Sequence, residues 1–265
     1  VLVLLPPSEG KAEARSRTAL RLDALSLPGL NEAREAVLSE VVALCAEQPE
    51  RAREVLGLSL GQRDEVVRDA ELRTAPVRPA GEIYTGVLYD ALGLSTLSTA
   101  AKRRATRSLL IFSGLWGAVR IKDPIPAYRL SGGVKLPGLG SLAGHWREPL
   151  GRTLPEVAGG GMVLDLRSTA YAAMWRPSGE LAERTATVRV LQSRIVAGVE
   201  KRSVVSHFNK ATKGRLVREL LEAGAAPRDP AALAQALKEL GYAVESAPPE
   251  RAGAPWRLDV VVTEL

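Results

Sequence analysis

The chain has 265 residues, 46% hydrophobic and 25% charged, with a formal net charge of +6. That balance excludes dominant disorder, and the length allows a large core without disulfide or metal staples. Cys45, the only cysteine, excludes an intrachain disulfide, and two histidines, His145 and His207, exclude a histidine-rich metal site.

In chain order, Val1–Leu5 reads as a strand covered on both faces, and Pro6 and Pro7 close this run too early for a signal peptide. Helices are expected over about Leu30–Ala46, Gln62–Leu72, Glu82–Leu92 and Leu97–Ile111. Cys45 lies in the first of these, in an apolar run that suits an inert buried thiol. Asp123-Pro124-Ile125-Pro126 cannot be helical inside, Gly132–Gly140 is a loop, and Leu142–Leu154 is a helix. Strands are expected at Met162–Leu166, Thr185–Leu191, Ser203–Ser206 and Trp256–Thr263, with helices at Lys210–Ala223 and Pro230–Leu240. Strands and helices interleave without a linker or repeat. One α/β domain (mixed α+β) over residues 1–265 follows, its mixed sheet carrying helices on its faces. No stretch approaches the roughly 18 apolar residues of a membrane span, so a cytoplasmic, monomeric protein away from membranes is expected.

Three expected strands end in polar clusters: Ser8-Glu9-Gly10-Lys11, Asp165-Leu166-Arg167-Ser168 and Ser206-His207-Phe208-Asn209-Lys210. Ligands of open α/β sheets bind beyond the carboxyl ends of the strands. If these strands are parallel neighbours, Lys11, Arg167, Lys210, Lys213 and Arg215 converge there with Ser8, Glu9, Asp165, Ser168 and Ser206. Such a set can grip a phosphate or read a base edge; it can equally cap helices and satisfy loops. Ser8–Lys11 lacks the spacing of a P-loop. His145-Trp146 suits a core pair, and His207 after Ser206 is a general-base candidate on its own.

Leu97–Ile111 carries Lys102-Arg103-Arg104 and leads into Ser113-Gly114-Leu115-Trp116-Gly117, with Arg120 beyond. Two glycines around two apolar residues fit the hairpin of a helix-hairpin-helix module, which offers backbone N–H groups to a DNA phosphate. The same glycines also fit close packing around a buried Trp116. Tyr128-Arg129 can stack on bases or bridge to a carboxylate.

Taken together, Leu5–Lys11, Tyr84-Thr85-Gly86-Val87-Leu88-Tyr89, Ser113–Gly117, Asp123 with Tyr128-Arg129-Leu130, Asp165–Ser168 with Tyr171, and Ser206–Lys210 with Lys213–Leu216 resemble, in order, the YaaA peroxide-stress family. The resemblance implies a cytoplasmic protein that limits iron-linked oxidative damage. It further implies a compact α/β fold with a basic cleft and a helix-hairpin-helix element, binding double-stranded DNA without strong sequence preference. Lys11, Ser113, Gly114, Gly117, Arg129, Lys210, Lys213 and Arg215 fall on the shared motifs, whereas Lys102, Arg103, Arg104 and Arg120 are added from charge alone. The alternative is an enzyme acting on a nucleobase, nucleotide or damaged DNA, with Ser8, Glu9, Lys11, Asp165, Arg167, Ser168, Tyr171 and Lys210 in a pocket. No cofactor and no metal is expected: one Cys, two His and no Glu-x-x-His cluster argue against iron sequestration.

Overall fold

The structure, a computed structural model, describes residues 1–14, 18–196, 199–204, 206–249 and 251–263, with backbone alone at 196, 199, 200 and 206–208. Among these residues eight strands form the central sheet. They are β1 (Leu2–Leu5), β2 (Leu109–Ser113), β3 (Gly117–Arg120), β4 (Val163–Asp165), β5 (Thr185–Val196), β6 (Val199–Ser203), β7 (Ala243–Ala247) and β8 (Trp256–Val262). Helices that frame the sheet are α1 (Asn31–Glu47), α2 (Arg63–Ala70), α3 (Val87–Leu92), α4 (Thr99–Ser108), α5 (Leu142–Ala158), α6 (Ser206–Ala223) and α7 (Pro230–Glu239).

The strand order is β7-β8-β5-β4-β1-β2-β3, with β6 folded back on β5. Strand β1 sits in the middle, buried throughout, parallel to β2 on one side and β4 on the other. Its uninterrupted apolar run is what a strand covered on both faces requires. Strands β4, β5 and β8 continue the parallel set, while β7 and β3 close the two edges antiparallel. This is the single mixed α/β domain expected from the interleaved pattern.

Several boundaries differ from the sequence reading. The helix expected over Leu97–Ile111 stops at Ser108, where Leu109 turns extended, and Leu109–Ser113 becomes β2. Pairing with β1 on a fully buried surface outweighs the local helical pattern of that apolar tail. Consequently Ser113–Gly117 is a β-hairpin turn, and the helix-hairpin-helix expectation is overturned. The helix expected over Glu82–Leu92 is broken: Ala80–Ile83 forms one turn, Tyr84 is extended and bridges to Lys11, and α3 begins at Val87. The strand expected at Ser203–Ser206 is displaced. Ser203 ends β6, Ser206 opens α6, and Val205 lies outside the described residues. Strand β7 was not anticipated.

The β2–β3 turn is held from below by two buried side chains. Trp146 of α5 donates its Nε1 hydrogen to Gly114 O at 2.8 Å. Arg34 of α1, fully buried, donates from Nε to Trp116 O (3.1 Å) and from Nη2 to Ala118 O (2.8 Å). Burial brings that guanidinium down to about 10, with Asp123 acting in the opposite sense. Gly117 has φ +69°, and a Cβ there would lie 2.7 Å from the Trp146 ring. Strain in the left-handed region and overpacking therefore add. Gly117→Ala should lower stability by about 2–4 kcal/mol in urea titrations. Gly133→Ala, where a Cβ meets nothing within 4 Å, serves as the near-neutral control.

Candidate functional site at the strand ends

Because β1 and β4 are parallel neighbours, the loops that leave them emerge at the same edge of the sheet. Pro6–Lys11 follows β1 and Leu166–Tyr171 follows β4, and together they wall a cleft of about 750 Å3. That lies within the range of about 300–1,000 Å3 typical of small-molecule sites. Thr85–Tyr89, Arg129–Ser131, Val188 and Arg189 of β5, and Asn209, Lys210 and Lys213 of α6 complete the wall. Asn209 and Lys210 of the third polar cluster thus reach the site from the first turns of a helix. Gly214 permits this, since a Cβ there would sit 2.2 Å from Leu88 O, so α6 packs directly on α3.

The β1 loop is pinned through the broken helix. Ser8 Oγ donates to Gly10 O (2.6 Å) and accepts the Thr85 N–H (3.0 Å). Ala12 N–H donates to Ile83 O at 2.8 Å. Lys11 is turned back into the cleft, its Nζ donating to Ser8 O at 3.0 Å and Glu9 O at 3.3 Å. The same Nζ stands 4.2 Å from the centroid of the Tyr128 ring and 5.7 Å from that of Tyr84. Burial first, then Arg129, brings its ammonium down to about 8.

Behind these rings lies a hydroxyl chain. Ser113 Oγ accepts the N–H groups of Leu115 (3.1 Å) and Trp116 (2.9 Å) and lies 2.6 Å from Tyr128 Oη. With both lone pairs taken, Ser113 must donate its hydrogen to Tyr128. Tyr128 in turn lies 2.9 Å from Tyr84 Oη and is left to donate there. Burial pushes both phenols above their ordinary range.

Ion pairs consume part of the charge. Arg167, almost wholly buried, grips Asp165 through Nε (2.8 Å) and Nη2 (2.6 Å) and lies over the Phe112 ring. Arg129 Nη2 meets Glu9 Oε2 at 2.9 Å. Lys213 donates to Leu166 O at 3.3 Å, and burial lowers its ammonium below the usual lysine range. Lys210 is exposed at the rim. Tyr171 Oη accepts the Gly132 N–H at 3.1 Å, and Ser168 opens the short turn that carries Tyr171. On the α6 wall, Asn209 Oδ1 is buried without a hydrogen-bond partner among the described residues.

Of the expected binding and catalytic residues, Ser8, Glu9, Lys11, Arg129, Arg167, Ser168, Tyr171, Lys210 and Lys213 line this cleft, with Asp165 directly behind Arg167. The others lie elsewhere. Ser113, Gly114 and Gly117 are buried in the β-hairpin, because pairing with β1 draws that segment into the core. Lys102 and Arg103 are exposed on α4, and Arg104 lines a separate cavity of about 490 Å3 near Val1–Val3, at the amino end of β1. Arg120 caps edge strand β3 and donates to Arg107 O, and Arg215 is exposed on the face of α6 whose charge acts on Tyr242. The side chains of Ser206 and His207 lie outside the described residues. His145 bonds through Nε2 to Ala33 O (3.0 Å), edge-on to Trp146.

One group at the site was not anticipated. Asp69 of α2 is fully buried and accepts the Arg129 N–H at 3.0 and 3.3 Å, and its charge acts on Lys11. The available signal was its spacing, three residues after buried Val66 and three before buried Leu72, an acid on the core-facing stripe.

The family assignment rests on sequence comparison. A model of the family described as "Peroxide stress protein YaaA" matches residues 1–247. The chain belongs to this family. It is 64% identical over 265 residues, the whole of both chains, to a UPF0246 protein of Streptomyces coelicolor. A UPF0246 protein of Corynebacterium efficiens is 42% identical over 222 residues, covering 83% of this chain and 84% of that one. One of Salinispora tropica is 31% identical over 227 residues, covering 84% and 82%. Every cleft residue falls within the matched span, which ends before β8. No helix among the described residues is long and apolar enough to cross a membrane.

Burial pushes the Asp69 carboxyl from its ordinary 3.8 up to about 7, against the Arg129 N–H and Lys11, which hold it down. A raised folded-state value means stability is lost as pH climbs through the window between 3.8 and about 7. Asp69→Asn keeps an acceptor for Arg129 and removes the buried charge. Thermal melts from pH 4 to pH 7.5 should show a falling Tm for the wild type and a flatter profile for the variant. An equal slope in both would show that Asp69 does not titrate in this window.

Proposed function

We propose that the chain serves the peroxide-stress response by holding a phosphate-bearing nucleoside, free or within a DNA strand, in the cleft at the strand ends and acting chemically on it. The observation that carries this reading is the enclosure of Lys11, Lys213 and Asn209 in one concave site of small-molecule size. A flat platform for duplex backbone needs exposed cations, not lysines withdrawn from water. Lys210 and Lys213 are the cations left for a phosphate once Arg129 and Arg167 are engaged by Glu9 and Asp165. The Asn209 carbonyl suits the amino group of a base, and Ser8 and Ser168 suit sugar hydroxyls.

A second reading, sequence-independent grip on double-stranded DNA, draws support from the +6 charge and from exposed Lys102, Arg103, Lys210 and Arg215. The two readings assign the work to different lysines. Calorimetric titration with nucleoside 5′-monophosphates should lose about tenfold in affinity for Lys213→Ala, the scale of one charge-assisted hydrogen bond. Lys102→Ala with Arg103→Ala should leave that affinity unchanged. Tight duplex binding that depends on Lys102 and Arg103, without nucleotide binding, would overturn the pocket reading in favour of the duplex one.

A further inference from the structure

We propose that Lys11 is an amine nucleophile that forms an imine with the aldehyde carbon of a phosphorylated sugar held in the cleft. This rests on the reading of the cleft as a site for phosphate-bearing nucleosides and narrows it to the sugar phosphate left when the base is gone, since C1 is an aldehyde only then; it also adds the reacting atom.

The geometry singles out Lys11 among the three cleft lysines. Its backbone is fixed on both sides, by the bridge to Tyr84 and by the Ala12 N–H to Ile83 O bond. Its amine is aimed by two carbonyls, Ser8 O and Glu9 O, over the face of Tyr128. Loss of one proton leaves two hydrogens for those two carbonyls and one unshared electron pair. Lys210 is exposed at the rim, where its amine keeps its water shell. Burial lowers the Lys213 ammonium too, with Asp165 opposing, but that amine is held by the single carbonyl of Leu166. For Lys11, burial first and then Arg129 free the amine near neutral pH, against the opposing charges of Asp69, Glu65 and Glu9.

The chemistry balances without a redox partner. The neutral Lys11 nitrogen adds to the sugar C1 carbonyl, the C=O π pair moves to oxygen, and the oxygen gains the proton that the nitrogen loses, giving a carbinolamine. That hydroxyl then leaves as water while the nitrogen loses its last hydrogen, and a C=N bond replaces C=O. Asp69, fully buried and outside the cleft lining, acts on Lys11 through its charge alone. A free pentose phosphate in its open form and the ring-opened sugar of an abasic nucleotide in DNA present the same group. Hydroxyl-radical damage under peroxide generates the second.

The test is reductive trapping on the full chain. Ribose 5-phosphate in one arm, and a duplex with one abasic site in the other, are incubated with the protein and sodium cyanoborohydride. The expected result is a covalent adduct by intact-mass measurement, mapped by peptide sequencing to Lys11 and absent in Lys11→Arg. Trapping should rise about tenfold per pH unit and level off above about 8, as the free amine forms. The arm that labels faster identifies the source of the sugar. An adduct on Lys210 or Lys213, or none while calorimetry still shows ribose 5-phosphate binding, would overturn the nucleophile and leave the pocket reading standing. Absence of both adduct and binding of nucleotide and sugar phosphate would sink the two together. Peptide mapping on the wild type keeps the test decisive even if a Lys11 variant fails to fold.

Discussion

Hydrogen bonding of β1 to parallel partners on both sides is the constraint from which the site follows. Leu4 is in register with Leu110 of β2 and Asp165 of β4, and Leu166 N–H continues the ladder onto Leu4 O at 2.9 Å. Parallel strands all point their carboxyl ends one way, so Pro6–Lys11 and Leu166–Tyr171 have no choice but to share an edge. A one-residue slip of β1 would turn Leu2–Leu5 by half a pleat and carry Lys11 away from Tyr128. Burial on both faces of the strand holds the register, and the site inherits its precision from the core.

On that edge the charges are sorted by length and shape. The two guanidiniums are tied to carboxylates, Arg167 to Asp165 in a buried two-point pair and Arg129 to Glu9 near the surface. Breaking the buried pair would strand a charge in the core, so Asp165 is better placed to orient Arg167 than to exchange protons. The lysines are left with carbonyl partners alone. Carbonyls solvate an ammonium without neutralising it, and burial makes the amines of Lys11 and Lys213 easier to deprotonate. A surface built for phosphate would need only the first property; withdrawing Lys11 under two tyrosines supplies the second.

The sequence exposed the parts of this arrangement that local chemistry controls. The all-apolar Val1–Leu5 run and the polar clusters after it and after Leu164 marked two strand ends correctly, and their convergence followed from one assumption of parallel pairing. What failed depended on distant partners. Leu109–Phe112 is an uninterrupted apolar run like that of β1, but it follows the helical stretch Thr99–Ser108 without a break signal, and its pairing with β1 decides where helix gives way to strand. That error produced the helix-hairpin-helix expectation at Ser113–Gly117, where the competing view, close glycine packing around a buried Trp116, matches the fold in part: Trp116 is buried, but Gly117 packs on Trp146 and Gly114 on Leu130. Arg34 and Asp69 were missed because a charged residue inside a helix ordinarily faces water; the stripe spacing of Asp69 hints at burial, but nothing local says that Trp116 O or the Arg129 N–H waits in the core.

Cys45 completes the argument about where peroxide could act on this chain. Its thiol is buried in α1, and burial, then Asp69, pushes it up to about 12, so almost none is thiolate at neutral pH. Oxidation proceeds through the thiolate, and a thiol held in this state is a packing group. Cys45 therefore offers peroxide no ready thiolate. The redox link carried by the family's name is better sought in what the cleft receives, because the groups whose proton affinities are displaced toward neutrality, Lys11 and Asp69, stand in and beside it.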